Sequence, residues 1–382
     1  MSGRRRSLPL AAAALAVIAS GALIALSLAW TGPRGSGALG SSAGRGAGAG
    51  EAGLAAPRPA ASDLLPPSAA GPSPATAASV RPIASVSPAP SATPSPTPSR
   101  RSATPTAAVP SGALAQYELP APWVGGTSPW ANVWVYTPPG YVTSSARYPV
   151  LYEVPWGADG WEAGTHVHGL LDALIANGTL SPSVVVFVNQ AGGPYRPSEC
   201  ADSWDGREHF DTFVASTVVA WVDAHFRTLR TPLARTLIGF SQGGYCAPTL
   251  LFHHPDVFGN AVSFSGYYVA GIWSPETRLA YRPFGGKASL IADDSPLVLA
   301  GRLPPAVRRS LFLVLVGTPG EPFFGPQLTT FAAALSAGGY RFVELDSVRG
   351  HSWAQVRAML PSALQALTQH QRQAGLFNPP GG

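Results

Sequence analysis

The hexapeptide Gly239-Phe240-Ser241-Gln242-Gly243-Gly244 constrains this chain more than any other stretch. Thr236-Leu237-Ile238-Gly239 leads into it as a buried strand, and Cys246, Leu250 and Leu251 lead out at helical spacing. A G-x-S-x-G run at such a junction requires strand, sharp turn, helix, with the serine in a backbone conformation that most residues avoid. Its neighbours two positions away must be small, and Gly239 and Gly243 meet that demand. The turn would raise the hydroxyl above a sheet at the positive end of a helix. Ser241 is therefore the candidate nucleophile.

The surrounding pattern predicts the sheet. Val133-Trp134-Val135-Tyr136 alternates as a strand and ends at Pro138-Pro139-Gly140. Further strands are expected at Tyr148–Val154, Val184–Val188, Ala261–Ser265, Leu311–Val316 and Arg341–Leu345. Helices are expected from His168 to Ala176, from Phe210 to Phe226 as one long amphipathic element, near Phe331, and from Trp353 to Gln369. Strands alternating with helices imply an α/β domain with a largely parallel sheet covered on both faces.

That domain is expected to occupy residues 113–382. Ala, Gly, Pro, Ser and Thr dominate the first 112 residues, with almost no aromatics, so they cannot bury enough apolar area to offset chain entropy. Within them, Arg4, Arg5 and Arg6 precede an uncharged run from Leu8 to Trp30. As a helix that run would be about 35 Å long, enough to cross the ~30 Å hydrocarbon core. Residues 1–30 are read as a signal anchor, or as a signal peptide cleaved near Ala25–Ala29, and 31–112 as a disordered linker rich in Ser-Pro, Thr-Pro and Ala-Pro steps. The arginines should stay cytoplasmic, which places the remainder outside as a single-pass membrane protein or a secreted one. Residues 1–112 carry a net charge of +7 and the whole chain +5, so the domain sums to about −2. The basic character belongs to the tail, and no nucleic-acid partner is expected.

In an exported protein the two cysteines, Cys200 and Cys246, favour one disulfide over two separate buried thiols. Such a bridge would tie the loop around Cys200 to the Ser241 region.

A serine hydroxyl needs a base. Of eight histidines, His351 follows the last strand in Arg349-Gly350-His351-Ser352-Trp353, where a loop would hold it over the sheet. His253 and His254 end the helix that follows the elbow and are read as structural, and His370 lies near the end of the final helix. The third member should be a carboxylate after the preceding strand. Glu321, in Gly317-Thr318-Pro319-Gly320-Glu321, is the choice, with Asp346 as its rival and Asp293 and Asp294 ranked lower as loop caps. The order serine, acid, histidine is the usual one for such elbows. An oxyanion hole needs two backbone N–H groups. One is expected from Gln242, the other from Ala158, with Gly157 as the fallback.

Several runs together resemble the esterase D and antigen 85 branch of α/β hydrolases. Tyr136-Thr137-Pro138-Pro139-Gly140-Tyr141 followed by Tyr148-Pro149-Val150-Leu151-Tyr152 is similar to the family's opening, and Gly239 to Gly244 to its elbow. Gly317 to Glu321 resembles the segment bearing its acid, and His351-Ser352-Trp353 the segment bearing its histidine. The likeness covers roughly residues 115–370. It implies the α/β-hydrolase fold and acyl-ester hydrolysis or acyl transfer through an acyl-enzyme, with no metal or organic cofactor. Many relatives carry His-Gly at the oxyanion loop, where this chain has Trp156-Gly157 after Pro155. No trehalose-binding pattern is present, so mycolyl transfer does not carry over.

The expected activity is that of a serine carboxylic-ester hydrolase using Ser241, Glu321 and His351 on an ester, acyl-lipid or acyl-sugar substrate. The alternative is an extracellular acyltransferase of the antigen 85 type, moving an acyl chain to a sugar or glycerol hydroxyl. A reading from another class is a stalk-presented binding module that keeps the fold without catalysis.

Overall fold

A computed structural model describes residues 111–377 apart from 122, 124–129, 191–192 and 273–278. The apolar segment 8–30 and the linker as far as residue 110 lie outside the described residues. Among the described residues no helix is long and apolar enough to cross a membrane.

Eight strands among those residues form one mixed sheet: β1 (Ala113–Pro120), β2 (Trp130–Thr137), β3 (Val150–Glu153), β4 (Val184–Val188), β5 (Arg235–Phe240), β6 (Asn260–Phe264), β7 (Phe312–Gly317) and β8 (Arg341–Asp346). Their order is β1-β2-β4-β3-β5-β6-β7-β8. β2 runs antiparallel to both β1 and β4, and every other pair is parallel. The predicted parallel sheet thus carries an antiparallel margin.

Successive side chains of a strand point to opposite faces, and the central strands feed two separate cores. Val150, Tyr152, Leu237, Ala261, Leu313 and Leu315 enter one, while Leu151, Ile238, Phe240, Val262, Val314 and Val316 enter the other. All five residues of β4 and all six of β5 and β7 are buried. That double burial is why β4 and β7 read as unbroken apolar runs instead of alternating ones, and β5 does so from Leu237 onward.

Helices α1 (Gly157–Thr165), α2 (Val167–Ala176) and α9 (Trp353–Gln373) supply Trp161, Leu171, Leu174, Val356, Leu360 and Leu364 to the second core. On the first face lie α3, made of Phe210–Thr212, Phe213–Val218 and Val219–His225, then α4 (Gln242–His253), α5 (Ala288–Asp293), α6 (Pro296–Arg302), α7 (Pro305–Ser310) and α8 (Phe324–Gly338).

Two expectations change here. The helix from Phe210 has a π-helical middle, Phe213–Val218, in place of continuous α structure. Phe213 and Val218, and likewise Val214 and Val219, are both buried five residues apart, and the wider π turn brings residues at that spacing to one face. Helix α1 follows a loop that carried no helix prediction. Its three glycines lower helix propensity, yet a Cβ on Gly164 would lie 2.3 Å from the Trp353 ring, so close packing against α9 requires the glycine there.

Chain order reverses between β3 and β5: β3 leads through α1 and α2 to β4 on one side, while β5 leads on to β6, β7 and β8 on the other. In open α/β sheets ligands bind beyond the carboxyl ends of the strands at such a switch point. The loop after β3 and the turn after β5 meet there.

Candidate active site

Ser241 follows β5 directly and adopts φ 59° and ψ −114°, outside the regions open to ordinary residues. Its N–H donates to the carbonyl of Phe264 at the end of β6 (2.9 Å). The flanking glycines are required by contact: a Cβ on Gly239 would meet Gly243 at 2.4 Å, and one on Gly243 would meet the Val154 carbonyl oxygen at 2.2 Å. The turn therefore packs against the end of β3 with no room for a methyl group. Ser241 caps α4, whose first N–H groups have no carbonyl four residues back. The Gln242 N–H is one of these, directly beside the hydroxyl.

Ser241, Gln242 and His351 line one cleft of roughly 600 Å³. Gly350, at φ 63°, donates its N–H to Thr318 Oγ1 (3.1 Å), and Ser347 N–H donates to the Gly317 carbonyl (2.7 Å), so the loop bearing His351 is pinned to the end of β7. The imidazole stacks on Phe324, with centroids 3.8 Å apart and planes within 3°, and on Phe240 at 4.7 Å. Burial lowers its pKa from the ordinary 6.5, and the charge of Glu321 pulls the other way. The ring is thus neutral at neutral pH, the state a general base requires.

Glu321 acts on His351 through space, without a hydrogen bond between them. Its Oε2 accepts from the N–H groups of Phe323 (3.1 Å) and Phe324, capping α8. His351 Nδ1 is buried with no hydrogen-bond partner. Asp346, the rival acid, lies exposed at the end of β8 in register with Gly317.

The loop after β3 brings Trp156 to the cleft. Its indole N–H donates to the Phe240 carbonyl (2.8 Å), bracing this loop against the strand that carries Ser241. The backbone N–H groups of Trp156 and Gly157 both face the fully buried Glu153 carboxylate. Ala158 packs its methyl into the core beside Trp161, and its N–H belongs to the first turn of α1, where no intrahelical acceptor exists.

The histidines read as structural have a structural partner: His253 and His254 both bind the carboxylate of Asp211. His370 stacks on Phe312 at 4.1 Å. Asp293 pairs with Arg302, while Asp294 sits 3.9 Å from His253. Cys200 and Cys246 form a disulfide, as expected, with Cα atoms 5.7 Å apart. It fastens the loop after β4 to α4, and that loop carries cleft residues the sequence did not single out: Gln190, Arg196 and Pro197. Tyr267 completes that wall, its hydroxyl donating to the buried Glu199 carboxylate (2.8 Å). These positions lie in loops without periodic pattern, so no sequence signal marks them. Between β6 and β7, Tyr267 lines the cleft, and no residue of α5, α6 or α7 does.

A strained serine between a central parallel strand and a helix, with a histidine loop beyond the last strand, defines an α/β hydrolase. The family model named Esterase matches residues 130–367, and the chain belongs to that family. Among curated proteins it resembles the MPT51/MPB51 antigen of Mycobacterium tuberculosis, 36% identical over 111 residues, which is 28% of this chain and 36% of the antigen. It also resembles Esterase Rv1288 of the same organism, 30% identical over 142 residues, covering 37% of this chain and 30% of that protein. The matches therefore span about a third of these relatives' lengths. Among solved structures, a ferulic acid esterase superposes with a TM-score of 0.56 at 19% identity, covering 68% of this chain and 99% of that one. An S-formylglutathione hydrolase from Agrobacterium tumefaciens does so with 0.53 at 15%, covering 68% and 96%. At these identities the likeness is one of fold.

Proposed function

We propose that the protein is a serine carboxylic-ester hydrolase acting through an acyl-enzyme on Ser241. The observation that carries this reading is the strained Ser241 backbone, which presents the hydroxyl at the start of α4 in the same cleft as a neutral His351.

In the first half-reaction His351 takes the Ser241 proton while Oγ attacks the ester carbonyl carbon. The carbonyl oxygen becomes an oxyanion, which the N–H groups of Gln242 and Ala158 receive. The carbon–oxygen bond to the alcohol then breaks, and His351 returns its proton to the departing oxygen. In the second half, His351 deprotonates a water that attacks the acyl carbonyl, and collapse frees the acid and restores the Ser241 hydroxyl. His351 is cationic in both intermediates, and the Glu321 charge stabilises it there through space. Hydrolysis and acyl transfer differ only in what accepts the acyl group, and the relative named an esterase supports water. We place the reaction outside the membrane. Arg4 to Arg6 ahead of the uncharged run Leu8–Trp30, and the disulfide, support this location.

Rapid mixing with p-nitrophenyl butyrate tests the reading. A burst of about one equivalent of p-nitrophenol should precede the steady state, and Ser241→Ala should abolish it. Equal turnover by the alanine variant would end the proposal. Repeating the assay with glycerol or a sugar present tests the acceptor: acyl-sugar forming faster than free acid would make the protein a transferase.

A further inference from the structure

One wall of the cleft offers donors without acceptors, and a single residue arranges them. Gln190 N–H donates to the Pro155 carbonyl (2.7 Å), which fixes Gln190 against the loop after β3. Its side-chain Oε1 accepts from the Ser198 N–H (2.8 Å). The other end of that amide must then be its NH₂ group, which donates to Gln242 Oε1 (3.1 Å). This in turn sets the Gln242 amide, whose Oε1 is taken and whose Nε2 is buried without a partner. Gln242 is 5% exposed and lines the cleft, so Nε2 is a desolvated donor lacking an acceptor from the protein.

Arg196 stands on the same wall. Its Nη2 donates to the Gln190 carbonyl (3.4 Å), so Gln190 also holds the guanidinium at the rim. Among the described residues no carboxylate lies within ion-pair distance of Arg196. Its charge is felt by Glu208, which is buried and which burial pushes up to about 7, with Arg196 pulling it down. The described residues lining the cleft include no aspartate or glutamate. The remaining surface is largely aromatic, with Trp156, Tyr267, Phe323 and Phe324.

We infer that this wall is an anion subsite, and that the substrates are esters carrying a carboxylate or another anionic oxygen group, received by Arg196 and Gln242 Nε2. The inference rests on the proposed hydrolysis and narrows its substrate class. An anion supplies acceptors only, which is what a wall of unpaired donors requires. A guanidinium pairs with carboxylate or phosphate oxygens through two parallel bonds. A neutral alkyl ester leaves Nε2 as unpaired as it is in the free protein and brings no charge to Arg196, so it gains nothing from this wall.

Three butyrate-sized probes test this: neutral p-nitrophenyl butyrate, mono-p-nitrophenyl glutarate with the carboxylate on the acyl side, and 4-carboxyphenyl butyrate with it on the leaving group. For each anionic ester, kcat/KM is expressed as a ratio to that of the neutral ester, in wild type, Arg196→Gln and Arg196→Lys. For at least one anionic ester the ratio should fall about tenfold or more in Arg196→Gln and recover in part in Arg196→Lys. It should also fall with added salt in the wild type. Ratios unchanged by Arg196→Gln for both anionic esters would overturn the subsite while leaving ester hydrolysis standing. If the wild type cleaves none of the three and shows no p-nitrophenol burst, the hydrolase reading itself fails and the subsite falls with it.

Discussion

His351 works as a base only when neutral, and burial among aromatic rings lowers its pKa below the ordinary 6.5. The ester-hydrolysis rate, as kcat/KM, should therefore rise with pH through an acid limb below about 6.5 and then stay level through neutrality. Glu321 opposes that shift by favouring the imidazolium. Replacing its charge, as in Glu321→Gln, should move the acid limb to still lower pH. The same change should reduce kcat about tenfold, less than the loss expected for a directly bonded triad acid, because no hydrogen bond joins Glu321 to His351. A pH–rate profile of both proteins reads limb and plateau together. An unmoved acid limb in the variant would show that Glu321 serves α8 alone, through its bonds to the Phe323 and Phe324 N–H groups.

The elbow is a contact between elements, since α4 and the end of β3 touch at Gly243. Gly243→Ala places a methyl 2.2 Å from the Val154 carbonyl oxygen, so turn or strand end must move by a sizeable fraction of an ångström. Displacements of that order at a reacting centre cost on the order of 100-fold in rate. Steady-state kinetics beside circular dichroism should show that loss in a chain that still folds. A second junction joins α3 to α4, where Asp211 accepts from His253 and His254. Burial alone would lower the His253 pKa, but the Asp211 hydrogen bond and charge outweigh it and lift it to about 9. The raised pKa means that this stabilisation is complete below about 6.5 and is lost as pH rises through about 9. Urea titrations at pH 6 and pH 9.5 should show the wild type losing stability toward the higher pH, and Asp211→Asn showing a flatter dependence. Several elements were legible in the sequence: β4 and β7 as unbroken apolar runs, β5 as the buried stretch Thr236–Gly239 ahead of the elbow, α4 and α9 by their apolar spacing. Strand β1 was not, because an edge strand that is mostly exposed carries little alternation. Helix α1 stayed hidden because the contact between Gly164 and Trp353 overrides its low propensity.

At the scale of the whole domain, the disulfide links the loop after β4 to α4 across 46 residues of sequence. In the chain-entropy account, closing a loop of that length is worth about 4 kcal/mol. Replacing both Cys200 and Cys246 by Ala should lower Tm by roughly 10 °C in a scanning calorimeter. A change near zero would mean that the surrounding core holds the loop unaided. The bridge was open to reasoning from cysteine count, and the Ser241 turn from its glycines. The wall built by Gln190, Arg196 and Tyr267 was not, because residues from distant loops meet only once the sheet has reversed direction between β3 and β5. That same reversal places the cleft at the carboxyl ends of the strands, where Ser241 and His351 both line it. The most direct test of an activated Ser241 is intact-mass spectrometry after exposure to a fluorophosphonate. The wild type should gain one adduct, mapped by peptide sequencing to Ser241, His351→Ala should label far more slowly, and Ser241→Ala should stay unmodified. An unlabelled wild type, or an alanine variant labelled as fast as wild type, would contradict the assignment of Ser241 as the nucleophile.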